Sequence, residues 1–228
     1  MLRAVIFDFD GVIVDAEGLH LEAFNEVLGS YGVKIPEKLY YDKYLPHDDI
    51  ECLRAAATDF ELGLDEEQLD RLLREKMEVF ARIVTKGNIF IDGAAEFIGM
   101  LAANGIRMAV FSGAALADIE LMLKDSGLRD YFETIVATDH IQNSKPAPDG
   151  YLLALERLNQ GVCERISAEQ CVVIEDSRWG LESARSAGMH GVGVTNTYPA
   201  EELTGYAEKV VSQLTEITIE DLQSLCGG

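Results

Sequence analysis

The chain has 228 residues, 40 acidic against 19 basic side chains, a formal net charge of −21 and 48% hydrophobic residues. That apolar share suits a folded core of one large domain or two small ones and argues against disorder. The acidic excess repels nucleic acid and anionic membrane surfaces, so neither is expected as a partner, and a phosphorylated ligand needs a local cation. Cys52, Cys163, Cys171 and Cys226 show no C-x-x-C spacing and no histidine pair suited to zinc, which fits a reduced cytoplasmic chain. The N-terminal apolar run is broken by Asp8 and Asp10 and has no small-residue cleavage site, so neither a signal peptide nor a membrane span is expected.

The first predicted element is a strand, the apolar run from Ala4 to Phe7, which leads at once into Asp8, Asp10 and Gly11. Helical spacing then holds for about seventy residues. "EGLHLEAFNEVLGSYG" sets Leu19, Phe24, Val27 and Leu28 near one face, and "DEEQLDRLLREKMEVFARIV" does so with Leu69, Leu72, Leu73, Val79, Phe80 and Ile83. Asp65 is a candidate N-cap, with Glu66 and Glu67 in the first turn where the helix dipole favours acids. Tyr40, Tyr41, Tyr44 and Trp179 are expected to pack.

From about Asp92 helix and strand alternate: "GAAEFIGMLAAN" then "IRMAVFS", "ALADIELMLKDS" then "TIVATD", "PDGYLLALERLN" then "QCVVIEDS", "WGLESARSA" then "GVGVTN". Short apolar strands separated by helices predict an α/β fold with a parallel sheet and helices on both faces. The first strand belongs to that sheet, so the helical block is an insertion. The expected division is a Rossmann-like core of residues 1–15 and 91–228 and a smaller helical domain of residues 16–90, with hinges near 15–18 and 87–93.

In open α/β sheets ligands bind beyond the carboxyl ends of the strands. The polar residues there are Asp8 and Asp10, Ser112, Lys145 after "VATD", and Glu175 with Asp176. Clustered carboxylates raise one another's pKa unless a cation sits among them, and hard oxygen ligands select Mg²⁺. With Lys145, such an ion would let a carboxylate approach a phosphoryl dianion. Aspartate can act as the nucleophile in such chemistry, and a second acid two residues on can protonate the leaving oxygen and later deprotonate water.

"DFDGVIVD", "FSG", "SKPAPDGYLLAL" and "VIEDSRWGLESARSAGM" resemble, in order, the four motifs of the haloacid dehalogenase superfamily, and the helical insertion resembles that family's small cap. The resemblance implies Asp8 as nucleophile, Asp10 as general acid/base, and Ser112 and Lys145 as phosphate binders. It implies Mg²⁺ held by Asp8, the Asp10 backbone carbonyl and Asp176, with Glu175 direct or through water. Gly11 and Gly113 are assigned to substrate binding, as are two residues of the cap, Lys76 and His20. His20 resembles a histidine that β-phosphoglucomutase relatives carry near the hinge. Lys76, in "KMEVF", is expected at the margin of its helix's apolar face.

The dehalogenase members lack the second motif-one aspartate, so Asp10 implies phosphoryl transfer. Departures from the mutases set the substrate expectation: "YLPHDDIECL" has acids and no arginine, Ala16 follows Asp15, and "SGAAL" lacks extra polar residues. They favour a phosphatase for a small phosphorylated metabolite, a sugar phosphate or related monoester; separately, a monomer is expected. The alternatives are a β-phosphoglucomutase-type phosphomutase and a catalytically silent scaffold or sensor.

Overall fold

The computed structural model describes residues 1–45, 47–85 and 89–227. Residues 87 and 88 of the expected second hinge lie outside them. The chain divides into two compact units, Met1–Asp15 with Phe90–Gly228, and Ala16–Ile89. Strand β1, Ala4–Phe7, is buried at every position. The ends of the first unit's two segments meet beyond it, where Val14 forms an antiparallel bridge with Phe90 and Ile91 N donates to Ile13 O at 3.0 Å.

The second unit is helical: α1 Glu17–Leu28, the single turn α2 Glu37–Leu39 running into a π-helical turn Tyr40–Tyr44, α3 Asp49–Asp59 and α4 Glu66–Val84. Asp65 caps α4 reciprocally, accepting from Gln68 N at 2.8 Å while Gln68 Oε1 accepts from Asp65 N at 2.9 Å. Phe24, Val27 and Leu28 of α1 share a core with Tyr40, Tyr44, Leu53, Leu69 and Leu72. Tyr44 donates its hydroxyl to Asp59 Oδ2 at 2.6 Å and Tyr40 to Glu17 Oε2 at 2.9 Å, so both phenols pack with their polar ends satisfied. Tyr41, expected to pack, instead stays 37% exposed, with its ring edge-on to Tyr40.

The buried positions of α4 are Leu69, Leu72, Lys76, Phe80, Ile83 and Val84. Lys76 therefore lies in the middle of the apolar face and has no exposed surface, which corrects the expectation that it projects from the margin. A buried ammonium must find partners. Lys76 Nζ donates to Asp49 Oδ2 at 2.5 Å and to His20 Nδ1 at 2.8 Å, and lies 4.9 Å and 5.0 Å from the ring centroids of Phe24 and Phe80. An ammonium only donates, so Nδ1 of His20 is the acceptor and its proton sits on Nε2. The imidazole stacks on Phe80 at 4.1 Å. Burial first, then the Lys76 charge, hold its pKa well below the ordinary value, so it stays neutral.

The first unit carries the sheet, whose order is β3-β2-β1-β4-β5-β6 with every neighbouring pair parallel. The later strands are β2 Arg107–Phe111, β3 Thr134–Val136, β4 Cys171–Glu175, β5 His190–Val194 and β6 Lys209–Val211. Between and after them run α5 Ala94–Ala103, α6 Leu116–Leu123, α7 Asp149–Leu158, α8 Arg178–Ser186, α9 Ala200–Leu203 and α10 Ile219–Leu225. Like β1, β4 is buried throughout, as layers on both faces require. The order of connection reverses between β1 and β4, the switch point at which such sheets bind ligands. Strand β6 was not anticipated: it is three residues long, only Val211 of it is buried, and it pairs on one side alone. Among the described residues no helix is long and apolar enough to cross a membrane.

Because His20 is neutral in the fold and titrates near 6.5 when unfolded, the unfolded chain binds the extra proton below that pH. Stability present above about pH 6.5 is therefore lost on acidification, at up to about 1.4 kcal/mol per pH unit. Urea unfolding at several pH values should show that extra slope in the parent and not in His20→Gln; parallel slopes would refute it.

Candidate active site

The register that pairs Phe7 with Ile174 sets the next residue of each strand, Asp8 and Glu175, side by side, and Asp8 N donates to Ile174 O at 2.9 Å. Beyond Asp8 the chain turns about the Phe9 carbonyl, which accepts from Ile13 N at 2.8 Å and Val14 N at 3.1 Å. Gly11 takes the left-handed backbone conformation in this turn, at φ +76°. A Cβ there would stand 1.9 Å from Asp176 Oδ2 and 2.7 Å from Thr197 Oγ1. Gly11 thus admits Asp176 to the site, and its own carbonyl accepts from Asn196 Nδ2 at 2.7 Å.

Glu175 is fully buried and both of its oxygens are occupied. Oε1 accepts from Lys145 Nζ at 2.6 Å and Tyr151 OH at 3.1 Å, while Oε2 accepts from Asp176 N at 3.0 Å and from Ser177 N and Oγ at 2.9 Å each. Ser177 also caps α8, its Oγ accepting from Gly180 N at 3.1 Å. Lys145 Nζ donates in addition to Asp8 Oδ1. One ammonium thus ties together the acids that end β1 and β4.

Carboxylate oxygens of Asp8, Glu175 and Asp176 lie within 4.8 Å of one another. Burial pushes the pKa of Asp8 up to about 7, with Lys145 opposing and Glu175 adding to the rise. Asp176 is raised well above the carboxylate range, again by burial first and then by Glu175 and Asp8. Burial works against the charge of Lys145, but Asp8 and Glu175 outweigh it and hold the ammonium above the ordinary lysine value. Three carboxylates facing one ammonium, all oxygen donors, form a set that fits a hard divalent cation. Glu175 already accepts five hydrogen bonds, so Asp8 and Asp176 are the better direct ligands and Glu175 the acid that holds them in place. Among the described residues the carboxylate of Asp10 is not one of the three that converge.

Ser112 follows β2 and is buried, and its backbone N–H donates to Val136 O at 3.0 Å. Its Oγ accepts from Ala114 N at 3.0 Å, which ties down the loop rather than capping a helix, since α6 begins only at Leu116. The hydroxyl keeps a proton to donate, as a phosphate oxygen requires. Gly113 beside it is exposed. His20 and Lys76 belong to the helical unit and meet each other there. Trp179 packs edge-on to Tyr198 at 5.5 Å, with the Arg178 guanidinium 4.7 Å from its ring.

Tyr151, Asn196 and Thr197 were not anticipated. Tyr151 reads as part of the apolar face of "PDGYLLAL", although a buried phenol needs an acceptor. Asn196 and Thr197 follow β5 as Glu175 and Asp176 end β4, and the same strand-end criterion finds them.

The haloacid dehalogenase-like hydrolase family model matches residues 5–194. The chain belongs to that family. It is 35% identical over 193 residues to fructose-1-phosphate phosphatase YqaB of Escherichia coli, covering 83% of this chain and 95% of that protein. It is 34% identical over 192 residues to a phosphorylated carbohydrates phosphatase of Thermotoga maritima, covering 84% of each. Among solved structures, CbbY from Rhodobacter sphaeroides in complex with phosphate superposes with a TM-score of 0.83 at 27% identity, over 98% of this chain and 100% of that one. This haloacid dehalogenase-like hydrolase is a phosphoric monoester hydrolase acting on phosphorylated metabolites.

Gly11→Ala would force a side chain into the space of the Asp176 carboxylate at a left-handed backbone position. A loss of about 1–3 kcal/mol in urea unfolding is expected, together with at least about tenfold lower turnover. Parent-like values for both would show that the loop yields without moving Asp176.

Proposed function

We propose that this enzyme hydrolyses the phosphate monoester of a small polyhydroxylated metabolite, a sugar phosphate, through an aspartyl phosphate on Asp8. The observation that carries the reading is the convergence of Asp8, Lys145, Glu175 and Asp176 where β1 and β4 end at the switch point. In this reading an oxygen of Asp8 bonds to phosphorus as the ester P–O bond breaks, and Asp10 gives its proton to the leaving oxygen. Ser112 and Lys145 hold the phosphoryl oxygens. Water then bonds to phosphorus while Asp10 takes its proton, the bond to Asp8 breaks and phosphate leaves. Mg²⁺ held by Asp8, Asp176 and the Asp10 carbonyl would supply the positive charge that lets two anions meet.

The helical unit is proposed to act as the cap that selects the leaving group. Lys76 has no exposed surface and already has Asp49 as counter-ion, whereas Asp49 keeps 29% of its side chain exposed. Asp49 is therefore the most exposed member of that network, and Lys76 is proposed to hold the helical unit together rather than to meet substrate.

A panel of sugar phosphates, phosphoglycolate and nucleotides with Mg²⁺ tests the reading, with phosphate release expected from the sugar phosphates. Conversion of a sugar 1-phosphate to its 6-phosphate without release would replace it with the phosphomutase. Silence across the panel would favour a scaffold. Asp8→Asn should abolish turnover and keep the fold, whereas Asp10→Asn should lose far less with an activated aryl phosphate, whose leaving group needs no proton.

With Asp8 raised to about 7, the folded metal-free protein binds more protons than the unfolded chain between about pH 4 and pH 7, so its stability falls as pH rises through that window. Mg²⁺ binds the ionised carboxylates and should raise the melting temperature clearly at about pH 8 and little at about pH 5. An equal rise at both would count against the carboxylate site.

A further inference from the structure

Lys145 is contacted by more than the two acids. Its Nζ lies 4.9 Å from the ring centroid of Phe111 and 5.5 Å from that of Tyr151, and the two rings meet edge to face at 4.9 Å and 88°. Phe111 ends β2 and Tyr151 lies in the first turn of α7. They can meet because the residue before Tyr151 is Gly150, where a Cβ would stand 2.1 Å from Phe111 Cζ. Tyr151 has no exposed surface, and its hydroxyl donates to Glu175 Oε1, the same oxygen that accepts from Lys145.

Each contact constrains the ammonium differently. Aromatic faces stabilise a cation without accepting a conventional hydrogen bond from it, so they hold Lys145 in place without drawing its protons away from Asp8. The phenol O–H takes up part of the accepting capacity of Glu175 Oε1 and limits how strongly that carboxylate pulls on Lys145. Burial first, then the charges of Glu175 and Asp8, keep the phenol pKa well above its ordinary value, so it remains a donor. We propose that Phe111, Gly150 and Tyr151 form a cage that aims the Lys145 ammonium at Asp8, with the Tyr151 hydroxyl setting the balance between Asp8 and Glu175. Tyr151 is a positioning residue that acts through Lys145. The inference rests on the role proposed above for Lys145 at the phosphate.

The test uses para-nitrophenyl phosphate with Mg²⁺ and follows kcat, KM and melting temperature in the full chain. Tyr151→Phe keeps the ring and removes only the hydroxyl. It should lower kcat by about tenfold, with KM changed by less than about twofold and the melting temperature close to the parent's. Gly150→Ala should lower both kcat and the melting temperature by displacing Phe111. Phe111→Leu added to it makes room for the new methyl group with a much smaller cavity than Ala would leave; the double variant should melt above Gly150→Ala alone while kcat stays low, because the ring face is gone. Parent kcat in Tyr151→Phe, or kcat falling only in step with the melting temperature, would overturn the proposal, as would recovery of kcat in the double variant. Lys145→Met separates the two layers of inference. If it turns over normally, the role of Lys145 itself fails; if it is inactive while Tyr151→Phe is normal, only the cage fails.

Discussion

The registration of β1 against β4 is the constraint on which the catalytic unit depends. Pairing Phe7 with Ile174 makes Asp8 and Glu175 neighbours, and burial first, then that neighbouring acid, makes Asp8 resist ionisation. A parallel sheet cannot slide by one residue to relieve this without turning every buried side chain of β1 to the opposite face. The conflict is met by a cation between the acids, the Lys145 ammonium, and by donors on every side of Glu175. Two of those donors are backbone N–H groups at the start of α8, so the strand end and the helix start are fixed by the same carboxylate.

The same physical problem recurs in the helical unit with the charges reversed. There the ammonium of Lys76 is the group fully removed from water, and a carboxylate, a neutral imidazole and two aromatic faces surround it. In a chain with 40 acids and 19 bases, the buried Lys76 and the half-buried Lys145 each sit beside an acid and against two aromatic rings. Chains of this composition have carboxylates in excess, so a buried cation readily finds a counter-ion; what needs arranging is its direction. Ring faces limit direction without offering a competing acceptor.

The sequence made the ends of the central strands legible because each is an apolar run stopped by a charged or hydroxyl residue, a pattern that cores do not otherwise tolerate. This pattern marks Asp8, Ser112, Glu175 and Asp176, and the loop after β3 carries Lys145. Lys76 was misplaced because an isolated lysine on an amphipathic helix reads as a boundary residue. Its burial depends on Asp49 and His20, which are remote in sequence and reach it only when α1, α3 and α4 pack. Tyr151 was hidden for the opposite reason: it fits the apolar period of its helix, and its hydroxyl matters only because the helix passes Glu175. Strand β6 carries too few residues to leave a periodic signal.

The bridge of Val14 to Phe90 and the bond from Ile91 to Ile13 bring together the two places where the chain leaves and re-enters the core unit. The ends of the inserted segment are pinned by backbone groups of the core, whatever the segment contains. The entropy of closing a loop grows only slowly with its length, so a longer or shorter insert would change the core's stability little. The helical unit is in this sense a cassette on a fixed clasp. Its sequence can change while the acids and the lysine at the strand ends of the core unit stay as they are.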